Sequence, residues 1–311
     1  MKENSYYYSL VIHKNPNQVI RLISRIAPSA AQIDIHINYL SSIKFYWNNI
    51  YNMNNKNIFI HKNHAIDTWA SFDLVEEFIE SMKRSLDFDY EYFINMSGQC
   101  YPIKNTKSIN EFFNLNHGYS FIDQIDLSDY SSVSPRNSWM SPATWKSRFQ
   151  HKYYRVPYGN VMRQTLSNIV GQSLDGKRTD INLYLKIPRI FNRNVERMNL
   201  YGGSTWFYLR KKHVEYIVDF IKDNKKFLEF SRRVWAPDEH FFQTIIARGY
   251  GKESIKDNNY RYIDWSKGIP AVLTFKDFDK IINSDGLFAR KFDEDVDKGI
   301  LDAIDNKILK A

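Results

Sequence analysis

The chain has 311 residues, of which 43% are hydrophobic and 16% aromatic, and its 43 Lys and Arg against 35 Asp and Glu give a formal charge of +8. That length and apolar content suit one large α/β domain or two small ones and exclude a disordered chain. A lone cysteine, Cys100, excludes an internal disulfide and a cysteine-rich zinc site, in keeping with a reducing compartment.

No window approaches eighteen apolar residues, and the opening "MKENSYYYSLVIHKNP" has no apolar run followed by a small-residue cleavage site. The expected location is the cytoplasm. The basic residues fall one or two at a time, as in "SMKRS", "KKHVEY" and "DNKKF", with no nucleic-acid motif beside them, so no nucleic-acid partner is expected. The same charge fits peripheral contact with an anionic membrane face.

In chain order, "YYYSLVIH" (Tyr6 to His13) reads as a strand, Pro16 to Ile26 as a helix and "QIDIHIN" (Gln32 to Asn38) as a second strand, together a βαβ unit. A short strand at Asn57 to His61 precedes an amphipathic helix, Ser71 to Leu86, with Phe72, Val75, Phe78, Ile79 and Met82 along one stripe. A fourth strand, "YFINMSG" (Tyr92 to Gly98), completes a doubly wound half whose ligands belong at the carboxyl ends of the strands. From about residue 116 to 200 the pattern weakens into "SPRNSWMSPATWKSRFQHKYYRVPYGN", an irregular, aromatic and basic stretch of the kind that forms binding loops. Regularity returns with a strand at Trp206 to Leu209, a helix carrying Val214, Ile217, Val218 and Ile221, and a tail with Ile300, Ile304 and Ile308 at helical spacing.

Between them lies "RRVWAPDEHFFQTII". Pro237 suits a first helical position, and Asp238 and Glu239 would sit in a first turn, where the helix dipole favours acids. Phe241, Phe242, Ile245 and Ile246 would anchor that helix in a core and fix a carboxylate at its mouth, as a general base requires. On these residues alone, capping and catalysis both remain open.

The strings "VIHKNP", "IHIN", "YFINMSGQCYPIK", "GGSTWF", "PDEHFFQTI", "YIDWSKGIP" and "LFARKFD" together resemble, in order, the core-2/I-branching β-1,6-N-acetylglucosaminyltransferase family and its bacterial members. The resemblance covers nearly the whole chain. It implies an α/β fold of the glycosyltransferase A type, a Rossmann-like sheet within a single domain over residues 1–311. Residues 1–115 would bind the nucleotide sugar, and residues 116–311 would supply acceptor binding and catalysis. The implied reaction is inverting transfer from a nucleotide sugar, usually UDP-GlcNAc, to a glycan hydroxyl, with an acceptor that could be lipid-linked.

The resemblance places the general base on Glu239 and leaves Asp238 as a cap. Related xylosyltransferases carry an Asp inside the Gly-Gly-Ser-x-Trp-Phe stretch, where this chain has Thr205. The Asp-x-Asp pair that holds a metal in many enzymes of this fold has no counterpart at the end of the fourth strand, where Ser97, Gly98, Gln99 and Cys100 stand. The expectation is therefore no metal and no cofactor, with Arg261, Lys291 and neighbouring Arg290 neutralising the leaving diphosphate. His13, His36, Asn38, Ser97 and Gly98 lie where the nucleotide should sit. His61 and His64 read as polar loop residues. Trp139, Trp145, Arg148, Tyr154 and Trp235 offer flat faces and donors to an acceptor sugar. A second class of function, a non-catalytic nucleotide-sugar-binding scaffold at a membrane face, would be expected to lose the base or the cations.

Overall fold

The computed structural model describes residues 6–37, 48–51, 53, 55–61, 70–127, 142–155, 184–189, 198–266 and 269–309, and the statements below concern these residues. Fourteen strands are described among them: β1 (Tyr6–Ile12), β2 (Ala30–Ile37), β3 (Ile58–Ile60), β4 (Tyr92–Ser97), β5 (Cys100–Pro102), β6 (Ser120–Ile122), β7 (Ile125–Asp126), β8 (His151–Arg155), β9 (Tyr184–Pro188), β10 (Tyr201–Gly202), β11 (Phe207–Arg210), β12 (Ile255–Lys256), β13 (Arg261–Ile263) and β14 (Phe288–Arg290). Helices α1 (Pro16–Ile26), α2 (Asn48–Tyr51), α3 (Phe72–Ser85), α4 (Thr106–Leu115) and α5 (Pro142–Gln150) are followed by further helices at Lys211–Asp223, Lys225–Ser231 and Phe241–Gly249.

Seven strands form the central sheet in the order β12-β6-β11-β4-β1-β2-β3. β11 runs antiparallel to both neighbours, and every other neighbouring pair is parallel. The mixed α/β architecture expected from the sequence is therefore present. Both faces are covered, so β1 is buried at every position. Its alternation sends Tyr6, Tyr8, Leu10 and Ile12 into one core and Tyr7 and Val11 into the other. The sheet also crosses the expected boundary near residue 115: β6, β11 and β12, from the second half, extend the strands of the first.

Local chemistry sets the helix boundaries. α1 opens at Pro16, buries Val19, Leu22, Ile23 and Ile26, and gives way at Ala27 to a 3₁₀ turn containing Pro28. α3 starts at Ser71, whose hydroxyl accepts from the Asp73 N–H at 3.2 Å, and ends with Lys83 and Arg84 near its carbonyl terminus.

Because β11 is reversed, its first residues lie at the same edge as the last residues of β4, with Tyr208 opposite Ile94 and Phe207 opposite Ile122. A second, three-stranded sheet in the order β13-β14-β5 closes over that edge, bringing Arg290 opposite Cys100.

The structure corrects one element. Pro237–Glu239 is a separate 3₁₀ turn, and the α-helix begins only at Phe241. Ala236 before the turn is left-handed at φ 49°, and His240 after it leaves helical geometry at φ −142°. Asp238 and Glu239 thus belong to a corner, not to the first turn of the helix, and Asp238 has no capping geometry there.

His240 fixes that corner from inside. Its fully buried ring lies edge-on to Phe149 with centroids 5.1 Å apart, is ringed further by Phe227 and Phe230, and neither nitrogen has a protein hydrogen-bond partner. Burial, then repulsion from Arg148, Arg189 and Arg248, pulls its pKa from 6.5 down to about 3. A base whose pKa is depressed on folding contributes full stability above 6.5 and loses it as pH falls toward 3, at about 1.4 kcal/mol per unit. His240→Leu should therefore lose about 2 kcal/mol less stability than the parent between pH 7 and pH 5. Urea titrations at the two pH values measure this, and parallel losses in both proteins would contradict it.

Candidate active site

The segment "YGGSTW" (Tyr201 to Trp206) enters β11 at the carboxyl edge of the sheet, and four elements hold it. From β4, the Asn95 amide donates to the Thr205 carbonyl at 2.8 Å and accepts from the Phe207 N–H at 2.8 Å. From the loop after β6, Asp123 accepts from the Ser204 N–H at 3.2 Å. From the Phe241–Gly249 helix, Gln243 donates to the Ser204 carbonyl and the Thr244 hydroxyl bonds both backbone groups of Tyr201. The Gly203 N–H donates to the carbonyl of Glu239 at 2.9 Å, so loop and corner share a backbone bond. Both glycines are steric necessities: a Cβ on Gly202 would lie 2.6 Å from the Trp145 indole, and one on Gly203 would lie 2.6 Å from the Asp123 carbonyl oxygen.

Glu239 points into the space beside this loop, with 18% of its side chain exposed. Its Oε2 accepts from Arg148 Nη1 at 2.5 Å. The Arg148 guanidinium, itself buried, lies between two indoles, 4.9 Å from the Trp145 ring and 4.5 Å from that of Trp235. Burial raises the Glu239 carboxyl to about 7, overcoming the pull of Arg148 and aided by the neighbouring Asp238 charge. A carboxylate half-ionised near neutrality and aimed by a fixed cation can take a proton from a hydroxyl.

Asp238 turns the other way. Its buried Oδ2 accepts from the Thr205 hydroxyl at 2.6 Å, and burial raises its pKa against the opposing effects of Thr205, Arg148 and Arg290. Asp238 thus feels cations from both sides of the site.

Those on the second side form a cluster. Arg261 and Arg290 lie against the same Trp206 ring, at 5.2 and 4.5 Å. Arg261 donates from Nη2 to the Asn95 carbonyl at 3.1 Å, while its Nε and Nη1, like Arg290 Nε, have no protein acceptor. Burial alone would raise the Cys100 thiol, yet Arg261, Arg290 and the Ser97 N–H bring it below its ordinary value. His13 completes the group. Its side chain is accessible, and desolvation, then Lys291, Lys14 and Arg290, pull its pKa down to about 4. Buried guanidinium donors lacking acceptors can grip the oxygens of an anion such as a diphosphate.

The structure thus brings together Glu239, Arg148 and Trp235 on one side, and His13, Ser97, Arg261, Arg290 and Lys291 on the other. Gly98 lies under α1, where a Cβ would come 2.8 Å from Val19, and its carbonyl accepts from Gln18 at 2.8 Å. His36 is separate: it is buried, bonded to the Ser81 hydroxyl at 2.7 Å and stacked on His61, which pairs with Asp34 at 2.9 Å. Arg148 holds the candidate base where an acceptor contact was expected. Trp145 is fully buried against Gly202, so its ring has no face for a sugar. Tyr154 carries Arg233 over its ring at 4.6 Å. Asn38, His64 and Trp139 lie outside the described residues. Among the described residues, no group of three or more His, Cys, Asp or Glu gathers as a metal site would.

Sequence reasoning missed Asn95, Asp123 and the Thr205–Asp238 bond. Asp123 receives three donors and is raised by burial to about 6. Its signal was its place, directly after the carboxyl end of a strand.

The family model described as Core-2/I-Branching enzyme matches residues 5–282. Xylosyltransferase 2 of Rattus norvegicus is 22% identical over 96% of this chain and 33% of its own length. Xylosyltransferase 1 of the same organism is 24% identical over 76% of this chain and 27% of its own. The chain therefore spans about a third of the length of these curated relatives. A solved structure, 4-diphosphocytidyl-2C-methyl-D-erythritol synthase from Anaerococcus prevotii, covers 81% of the chain at 12% identity with a TM-score of 0.36, too loose a match to carry an argument.

The Thr205–Asp238 bond is open to direct test. Thr205→Val keeps the shape but strips a buried carboxyl of its donor, which should cost about 1–3 kcal/mol of stability. Pairing it with Asp238→Asn in a double-mutant cycle should show coupling, whereas strictly additive losses would mean the bond contributes nothing.

Proposed function

The chain belongs to the Core-2/I-Branching enzyme family, and from that premise we propose that it is an inverting glycosyltransferase that moves a sugar from a nucleotide sugar to a hydroxyl of a glycan acceptor, without a metal. The observation that carries this reading is the raised carboxyl of Glu239, aimed by Arg148 on one side of the loop while acceptor-free guanidinium donors stand on the other. Glu239 takes the proton of the acceptor hydroxyl. The freed oxygen then attacks the anomeric carbon from the face opposite the diphosphate, one C–O bond forms as the other breaks, and configuration inverts. The departing diphosphate gains negative charge, which Arg261, Arg290 and Lys291 offset. Support for metal independence is positional: cations reach the end of β4, where Ser97 and Cys100 stand in place of carboxylates.

The donor we favour is UDP-GlcNAc, on the family's implied chemistry, with a surface polysaccharide or lipid-linked glycan as acceptor. The xylosyltransferase relatives make a pentosyl donor the competing choice. A panel of nucleotide sugars, read as nucleoside diphosphate released with and without acceptors, separates these two. It also tests the non-catalytic alternative, in which donors bind but none is consumed.

Glu239→Gln should lower turnover by about 10²-fold or more with donor affinity unchanged. Since the base is ionised above about 7, kcat/KM should fall as pH drops through that value. Arg148→Met removes a cation that holds the carboxyl down, so the acid limb should move to higher pH by about one unit or more. A Glu239→Gln enzyme with near-parental turnover would move the base elsewhere.

Arg261→Ala and Lys291→Ala should each weaken nucleoside diphosphate binding about 10- to 100-fold, the loss of a charge-assisted contact. Transfer should persist in excess EDTA. Collapse in chelator with recovery on manganese would replace the cation mechanism by a metal one.

A further inference from the structure

We infer that the exposed face of the two-stranded β8–β9 ladder is a docking surface for an anionic lipid bilayer. Leu185 and Ile187 alternate along β9 and so share one face, and both are exposed, at 54% and 41%. Among the described residues, they join neither hydrophobic core. Their partners across the ladder are Tyr154 and Lys152, which places an aromatic ring and an ammonium on the same face. Arg233, also exposed, extends over the Tyr154 ring at 4.6 Å. Residues 151–155 and 184–189 contain no Asp or Glu.

Two aliphatic side chains, one tyrosine and flanking cations on a two-stranded ladder match the chemistry of a lipid interface. Burying the aliphatics at the acyl boundary and leaving the cations among anionic headgroups satisfies both sets of groups. Protein partners fit less well, since a stable protein contact buries about 800 Å² per side and two aliphatics supply little apolar centre for one. A second copy would bring another chain of charge +8. A nucleic acid would satisfy the cations but not Leu185 and Ile187.

The ladder is wired to the candidate base. β8 follows α5 without a break, and α5 carries Arg148. Tyr153 N–H donates to the Arg233 carbonyl at 3.0 Å, and Arg189 bonds the His151 and Phe230 carbonyls, which ties the ladder to the segment leading into the Pro237–Glu239 corner. A bilayer held on this face would lie beside the acceptor side of the site; that consequence rests on the function proposed above, whereas the docking does not.

Vesicle co-sedimentation of the full chain, with no nucleotide sugar present, tests it. The protein should pellet with phosphatidylcholine vesicles containing about 30 mol% phosphatidylglycerol at least tenfold more than with phosphatidylcholine alone. Leu185→Ser with Ile187→Ser, and separately Lys152→Glu with Arg233→Glu, should each cut that partition tenfold or more while leaving the melting temperature unchanged. Equal binding to both vesicle types, or parental binding by both double variants, would overturn the assignment. So would a dimer on size exclusion that the Ser variant dissociates, which would give this face to a second copy. Retention on single-stranded RNA lost in the Glu variant alone, with no vesicle binding, would give it to nucleic acid. Because no transfer is measured, failure here leaves the catalytic reading standing, and failure of that reading leaves the docking standing.

Discussion

The side-chain amide of Asn95 is the bond pair on which the site depends. It sits fully buried near the end of β4 and uses both of its faces, one on the Thr205 carbonyl and one on the Phe207 N–H. The chain is thereby pinned where it turns from loop into β11. Once that turn is fixed, the Thr205 hydroxyl can reach Asp238, the Gly203 N–H can reach the Glu239 carbonyl, and Trp206 can lie flat beneath two guanidiniums. A strand of the sheet therefore sets the backbone of the candidate base, and preorganisation of that kind comes from rigid elements rather than from loops.

The arginines of the site divide by what their hydrogen bonds are committed to. Arg148 is stacked between two indoles and directs Nη1 to a carboxylate, so it orients and tunes Glu239. Arg261 and Arg290 also rest against an indole, yet they keep donors without protein acceptors. Stacking suits a guanidinium because it supplies contact to the planar face while leaving the edge open for bonds. The balance at Glu239 is decided by desolvation, which outweighs an ion pair that in water would have driven the carboxyl downward.

Much of the scaffold was legible because it follows local rules. α1 matches its expected span, Pro16 to Ile26, since a proline start and a 3.6-residue stripe leave little choice. The corner at Pro237 was misread because proline followed by two acids looks the same at the head of an α-helix and in a 3₁₀ turn. What separates them is His240, held in a box of phenylalanines that the sequence brings from residues 149, 227 and 230. Arg148 could be seen as a functional candidate but not as the partner of Glu239, because the pair closes over 91 residues. Trp145 looked like a sugar platform because an indole in an irregular stretch gives no sign of which way it faces; Gly202, which receives it, lies far along the chain. Nothing in the sequence marks Asn95, one polar residue within a strand, as the residue that will pin a loop more than a hundred positions away.

The reversed strand has a consequence for how the protein is made. β4 pairs with β1 on one side as soon as the first hundred residues are available, but its other side waits for β11, whose residues Tyr208 to Arg210 lie more than a hundred positions further on. β6 likewise gains its neighbours only when β11 and β12 have emerged. During synthesis the nascent sheet therefore exposes a largely apolar, unpaired edge for several seconds, given translation at about 5–20 residues per second. The strand that carries the loop of the candidate site into place is also the one that ends this vulnerable interval, so folding yield and assembly of that site are tied to the same late event.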